Sequence, residues 1–376
     1  MTRFYFPRHF SRIVPEISDS IRRIRFEAKF RRPLKAVSQV FSCTCLWILV
    51  SSSMATPLLL LLLLAAALPA ATTATRILFV GNSFTFVNDL PHQIKSIAAS
   101  LGDANVTVAN STIGGCTLYE QSPSRDARTK ALLAQDWDFI VLQDYSALPT
   151  VRAARDQYLA PAVGEFAAQK KRAKIVMYLT WGYIAGTPGA CPSSDTGKCF
   201  PLGTLANLTA PACATDGHYQ SLTGSFECMG YSLARGYLGP ATKGADLVVP
   251  CGLAWQVVRG SRAIPAGCKA LADAQYSAPF PLDVPFQVEG GALDGFLLYR
   301  KLKHGVIDKH PNVAGQYLNA LTFYAALFGK SPVGAAPPLN TGSKSAGDRP
   351  LKAAELKALQ LAAAGTVKAC GKACGL

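Results

Sequence analysis

The sequence predicts an α/β protein: a three-layer α/β/α sandwich on a parallel five-stranded sheet, with a Cys-rich surface insertion. Three observations predict it. Five short apolar runs recur after residue 75, alternating with stretches of helical spacing. The runs are apolar along their whole length, as strands buried on both faces of a parallel sheet must be. Between the fourth and fifth lies a long segment rich in Cys, Pro, Gly, Ser and Thr, without helical period.

Taken in order, residues 76–80 (Arg-Ile-Leu-Phe-Val) are the first expected strand. A Gly-Asn-Ser-Phe-Thr turn at 81–85 and a helix over 90–101 follow. Residues 105–109 are the second strand, ending near Gly114-Gly115, and 138–142 (Asp-Phe-Ile-Val-Leu) the third. A long helix is expected over 152–171, the fourth strand over 175–179 (Ile-Val-Met-Tyr-Leu) and the fifth over 246–249, with a helix at 252–259. Residues 185–230 read as a disulfide-tied surface insertion and 263–285 as a second, Pro/Ala-rich interruption. The domain is drawn over 76–335 and closes on an apolar helix at 317–328; residues 336–376 are a linker and a C-terminal helix over 351–367. In such sheets ligands sit beyond the carboxyl ends of the strands.

The 376 residues are 49% hydrophobic and 16% charged, which excludes a disordered, collagen-like or coiled-coil chain. The net charge of +15 invites a nucleic-acid reading. Residues 1–75, however, hold ten basic and three acidic side chains, so the remainder carries only +8. Residues 44–71 have no charge, and Met54-Ala-Thr-Pro followed by seven leucines and small residues reads as a secretory signal peptide. Translation is therefore expected to start at Met54, with 1–53 a basic leader outside the mature protein and 54–74 a cleaved signal. The alternative is a retained signal-anchor, since about 20 apolar residues span a bilayer, and only then does the chain meet a membrane. Both deliver the rest to the secretory lumen. Sequons at Asn105, Asn110 and Asn207 agree, as do nine cysteines after the leader without a Cys-x-x-Cys pair. Nearest-neighbour pairing (191–199, 213–228, 251–268, 370–374) leaves Cys116 over, and the connectivity stays open. Secretion and the lack of a basic aromatic motif remove nucleic acid as a partner.

Chemistry concentrates at two places. Ser83 sits in the turn after the first strand, where a serine is held clear of the sheet beside backbone N–H groups able to hold an oxyanion. The same residues also make an ordinary turn. No Walker A or Gly-x-Gly-x-x-Gly pattern follows, so a phosphate loop is not supported. A serine nucleophile needs a base. His92 can cap or pack, His218 lies in the Cys-rich insertion and His304 in a Lys-rich stretch. His310, in Asp308-Lys309-His310-Pro311, has a carboxylate two residues away that can orient its ring. Without Ser83 that stretch reads better as a loop leading into a helix, with two ordinary polar residues.

Gly81-Asn82-Ser83-Phe84-Thr85, with Asp308-Lys309-His310-Pro311 and the Gly-x-Tyr-Leu helix at 315–318, resembles the SGNH (GDSL-type) hydrolase superfamily. The likeness is to the branch whose nucleophile block reads Gly-Asn-Ser-Phe-Thr, and it spans about residues 76–332. It implies a flavodoxin-like fold and Ser-His-Asp esterase chemistry with no metal or organic cofactor. By position it implies Ser83 as nucleophile, His310 as base and Asp308 as its orienting carboxylate. The oxyanion hole would comprise the Ser83 N–H, the Gly115 (or Gly114) N–H and the Gln143 amide, Gln standing where the superfamily has Asn. Asn82 and Trp255, the latter in Val249-Pro-Cys-Gly-Leu-Ala-Trp255-Gln256, would contact substrate. One departure stands out: the superfamily spaces Asp-x-x-His, whereas here Ile307 is three residues before His310 and Asp308 two. The slip changes the carboxylate's reach and leaves open a dyad oriented by a backbone carbonyl, or Asp144 as substitute. Cys116 reads as a nucleophilic thiol, a small buried hydrophobe or a disulfide partner. The expected function is a secreted esterase removing a small acyl group, such as acetyl, from a carbohydrate. The alternatives are a secretory-pathway O-acyltransferase and a catalytically inactive glycan-binding module. The sequence specifies neither the substrate nor an oligomeric state.

Overall fold

A computed structural model describes residues 74–184, 219–260, 262–302, 305–340 and 348–376. The leader, the first part of the Cys-rich insertion (185–218), His218 and His304 lie outside the described residues.

Five parallel strands form the sheet: β1 (Thr75–Gly81), β2 (Val106–Thr112), β3 (Phe139–Leu142), β4 (Lys174–Tyr178) and β5 (Leu247–Val249), in the order β2-β1-β3-β4-β5. Ile77 to Val80 are buried on both faces, which is why the run is apolar without alternation. The chain leaves β1 first to one side and later to the other, so the loops after β1 and β3 part and open a crevice at their carboxyl ends.

The helices are α1 (Ser83–Phe86), α2 (Leu90–Ser100), α3 (Ala127–Leu133), α4 (Ala160–Gln169), α5 (Tyr219–Thr223), α6 (Phe226–Tyr237), α7 (Cys251–Val258), α8 (Ala266–Ala274), α9 (Val313–Phe328) and α10 (Ala353–Cys370). α9 packs against α2, α7 and α10. Leu359, Ala362 and Ala363 of α10 are buried in the same core as the sheet, so the C-terminal helix is integral to the domain.

Several expectations change. The long helix over 152–171 is broken by a π segment, Arg155–Leu159, just before Pro161, which has no N–H to continue the ladder. The last part of the expected insertion, residues 219–230, is helical, and its second helix, α6, runs on to Tyr237 with Phe226, Met229, Leu233 and Tyr237 all buried. Its Gly, Ser, Cys and Arg residues hide the apolar period, and Ser225 caps it by accepting from the Cys228 N–H at 3.1 Å. Within the second interruption α8 brings Cys268 to Cys228, and the two form a disulfide. Cys251 is a free, buried thiol whose Sγ faces the Asn319 carbonyl, so the 213–228 and 251–268 pairs do not form. Cys370–Cys374 forms as expected, while Cys116, expected to be left over, is disulfide-bonded. Finally, the stretch around Asp308 is a strand. β7 (Ile307–Pro311) pairs antiparallel with β6 (Tyr299–Lys301) in a separate two-stranded sheet.

Candidate active site

The site begins with the absence of a side chain. A Cβ on Gly81 would lie 2.7 Å from Gln143 Oε1 and 2.8 Å from Thr85 Oγ1, so only glycine lets the chain turn off β1 here. The Gln143 oxygen that needs that space accepts from the Asn82 N–H at 2.9 Å and the Thr85 hydroxyl at 3.1 Å. The Asn82 side chain works both ways: its oxygen caps α1 by accepting from the Phe84 N–H, and its amide donates to the Cys116 carbonyl at 3.0 Å. Ser83 is thus the first residue of a four-residue helix pinned at its start by Asn82 and Gln143. At its end the buried Gln316 amide donates to the Phe84, Thr85 and Val87 carbonyls at 3.1, 3.3 and 2.8 Å.

β7 supplies the other half. Successive strand residues alternate faces, so residues two apart project together. Asp308 and His310 therefore point the same way, and the Asp-x-His spacing reaches. His310 Nδ1–H donates to Asp308 Oδ2 at 2.7 Å, which leaves Nε2 to accept from the Ser83 hydroxyl at 2.7 Å. Arg300 on β6 donates to the same Asp308 oxygen through Nε at 2.9 Å and through Nη2. Burial alone would raise the Asp308 carboxyl's pKa; the His310 and Arg300 hydrogen bonds and charges outweigh it and hold the group well below the ordinary carboxylate range. Phe84 meets the imidazole edge-on with centroids 5.5 Å apart and stacks on Trp181 at 4.6 Å. The Trp181 indole donates to the Lys309 carbonyl at 3.2 Å, fixing β7 from behind.

Ser83 and His310 open into a cavity of about 290 Å³, lined also by Asn82, Gly114, Gly115, Tyr145 and Lys309. The loops after β1, β2 and β3 all contribute, as the sheet order requires. Gly115 has φ +77°, a left-handed turn conformation natural to glycine. Among the described residues neither its N–H nor that of Ser83 has an acceptor.

Two expected site residues lie elsewhere. Gln143 is fully buried beneath the serine turn, and its amide donates to the Asp144 carbonyl, so it braces the turn and does not line the cavity. Trp255 is fully buried behind Trp181, stacked at 4.1 Å, with its indole donating to Asn319 Oδ1 at 2.8 Å; it supports the wall from one layer back. Asp144 is no substitute for Asp308: its Oδ1 accepts from the Leu118 and Tyr145 N–H groups at 2.9 and 2.7 Å. Burial pushes its carboxyl up to about 7 despite those bonds, and Glu120 adds to the rise. His92 pairs with Asp89 on the surface. Arg300, Gln316 and Lys309 were not anticipated. Gln316 is the unspecified position of the Gly-x-Tyr-Leu motif, and Arg300 becomes visible only once β6 is paired with β7.

No known family's sequence profile matches the chain, and no curated protein matches it. Among solved structures it is similar to a DUF4886 family protein from Bacteroides uniformis, at 17% identity over 78% of this chain and 95% of that one, with TM-score 0.49. It is similar to a proposed SGNH hydrolase from Slackia heliotrinireducens, at 24% identity over 54% of this chain and 97% of that one, with TM-score 0.33. A proposed GDSL-like lipase from Parabacteroides merdae shares 13% identity over 55% of this chain and 97% of that one, with TM-score 0.27.

Proposed function

We propose that the chain is a serine ester hydrolase of SGNH type. The observation that carries the reading is the continuous relay of Ser83 Oγ, His310 and Asp308, two contacts of 2.7 Å ending in a cavity. Ser83 Oγ attacks the ester carbonyl as its proton passes to His310 Nε2, and the ionised Asp308 stabilises the imidazolium. The unengaged Ser83 and Gly115 N–H groups hold the developing oxyanion. His310 then protonates the departing alcohol, and water, activated by the same nitrogen, releases the acid from Ser83.

A cavity of about 290 Å³ is at the small end for ligand sites and favours a short acyl group such as acetyl. The uncharged stretch 44–71, the sequons and the disulfides support export through the secretory pathway, where ester-bearing carbohydrates are accessible substrates.

The test is hydrolysis of 4-nitrophenyl acetate by the purified protein beside Ser83→Ala and His310→Ala. Both variants are expected to lose about a thousandfold or more in kcat. A wild-type protein no faster than Ser83→Ala would end the proposal. Sequencing the N-terminus of protein recovered from the medium of expressing cells tests export, with cleavage expected within 54–74; retention in the cell with residue 1 intact would count against it.

A further inference from the structure

The cavity holds a charge that the relay does not use. Lys309 lies between Asp308 and His310 on β7 and lines the cavity beside His310. Its Nζ sits 5.5 Å from the Tyr145 ring and 5.7 Å from the Tyr183 ring. Tyr183 is itself tied to Ser146, a neighbouring wall residue, hydroxyl to hydroxyl. The lysine's backbone is fixed as well, by the Trp181 indole on its carbonyl. Two aromatic faces hold an ammonium in place without neutralising it. Neutralisation would need a carboxylate, and among the described residues Lys309 has none as ion-pair partner. Asp308, adjacent in the chain, is engaged by His310 and Arg300, and Asp144, adjacent to Tyr145, by backbone N–H groups beneath the wall. A half-buried cation held against the Tyr145 wall of the cavity that Ser83 opens into is a counter-charge for the substrate.

We infer that Lys309 makes this cavity select esters carrying a carboxylate, on the acyl or the alcohol side, over their neutral isosteres. The inference rests on the hydrolase reading above and names the class of ester it would take. The reaction is unchanged; the anionic group gains a partner in the complex, so the preference falls mainly on KM.

The experiment compares matched pairs with the intact protein. 4-Acetoxybenzoate against 4-acetoxybenzamide places the charge on the alcohol side, and methyl hydrogen adipate against methyl hexanoate places it on the acyl side. For at least one pair the ratio of kcat/KM, anionic over neutral, is expected to fall about tenfold in Lys309→Met, the effect of about 1.4 kcal/mol. Lys309→Arg should retain the ratio, Lys309→Glu should push it below that of Lys309→Met, and added salt should erode it in the wild type. A ratio unmoved by Lys309→Met in both pairs would overturn the inference and leave the hydrolase reading intact. Calorimetric titration of Ser83→Ala with the adipate and hexanoate esters, with and without Lys309→Met, measures the preference without turnover. If wild type hydrolyses nothing yet this titration shows the lysine-dependent preference, the hydrolase reading alone fails. If neither titration nor kinetics shows it, the inference fails.

Discussion

Asp308 receives His310 and both Arg300 donors on a single oxygen, so its geometry and its ionisation are set together. Asp308→Asn is expected to lower kcat by about 10²–10⁴-fold with little change in fold, read from steady-state kinetics and circular dichroism. Because its folded pKa is depressed, the stabilisation that Asp308 provides is complete above its unfolded value and is lost as pH falls through the folded one. The difference in melting temperature between wild type and Asp308→Asn should therefore shrink once pH drops below about 4. Asp144 works in the opposite sense. With its carboxyl pushed up to about 7, the folded chain keeps a proton that the unfolded chain releases from about pH 4. Stability should fall as pH rises across that window, by on the order of 4 kcal/mol at the limit, and level off above it. Asp144→Asn should flatten that slope in urea titrations at successive pH values. The candidates Ser83, His310 and Asp308 are legible in the sequence through the resemblance of their two motifs taken together, since each stretch alone also reads as an ordinary turn or loop. The reach of Asp308 is not, since it depends on strand geometry that Ile-Asp-Lys-His-Pro, with little alternating hydrophobicity, does not advertise. The resemblance puts Gln143 and Trp255 at the site by position alone, and burial sets both one layer behind the wall.

At the scale of elements, α1 is too short to stand alone and is held by groups from three other segments: Asn82 and Gln143 at its start and Gln316 from α9 at its end. Gly81→Ala should cost about 1–3 kcal/mol from the clash with Gln143 and should displace Ser83 as well, seen as a lower melting temperature together with a lower kcat. Gln316→Leu leaves those backbone carbonyls without their buried donor and is expected to cost about 1–3 kcal/mol by urea denaturation. Apolar runs made the five main strands visible to within a few residues. α6 escaped notice because a helix buried nearly all round shows no polar face, and its Gly230 and Ser232 resemble loop residues. β6 and β7 escaped because a three-residue strand and a half-exposed partner carry almost no periodic signal.

Across the whole molecule, one core joins the sheet to α7, α9 and α10, and the Cys228–Cys268 bridge ties α6 to α8. The parallel sandwich was readable from the apolar runs, whereas the inclusion of α10 was not, because a small-residue helix beyond a Pro/Gly stretch looks detached. Leu359→Ala should cost about 2–5 kcal/mol, and opening the bridge, which spans 40 residues, about 4 kcal/mol by loop entropy, both read from denaturation midpoints. The division into two sheets has its own consequence. Ser83 rides on the five-stranded sheet, His310 on the hairpin, and among the described residues no ladder of backbone hydrogen bonds runs between them. Their alignment rests on the burial of Leu298 and Tyr299 in the common core and on side-chain clasps, the Trp181 indole on the Lys309 carbonyl, the Asn88 amide on the Pro311 carbonyl and the Tyr299 hydroxyl on the Gly182 carbonyl. The relay thus bridges two sheets, and such a junction is expected to loosen before either sheet melts. Warming should silence the proposed hydrolysis reversibly while the circular dichroism spectrum is still that of the folded chain.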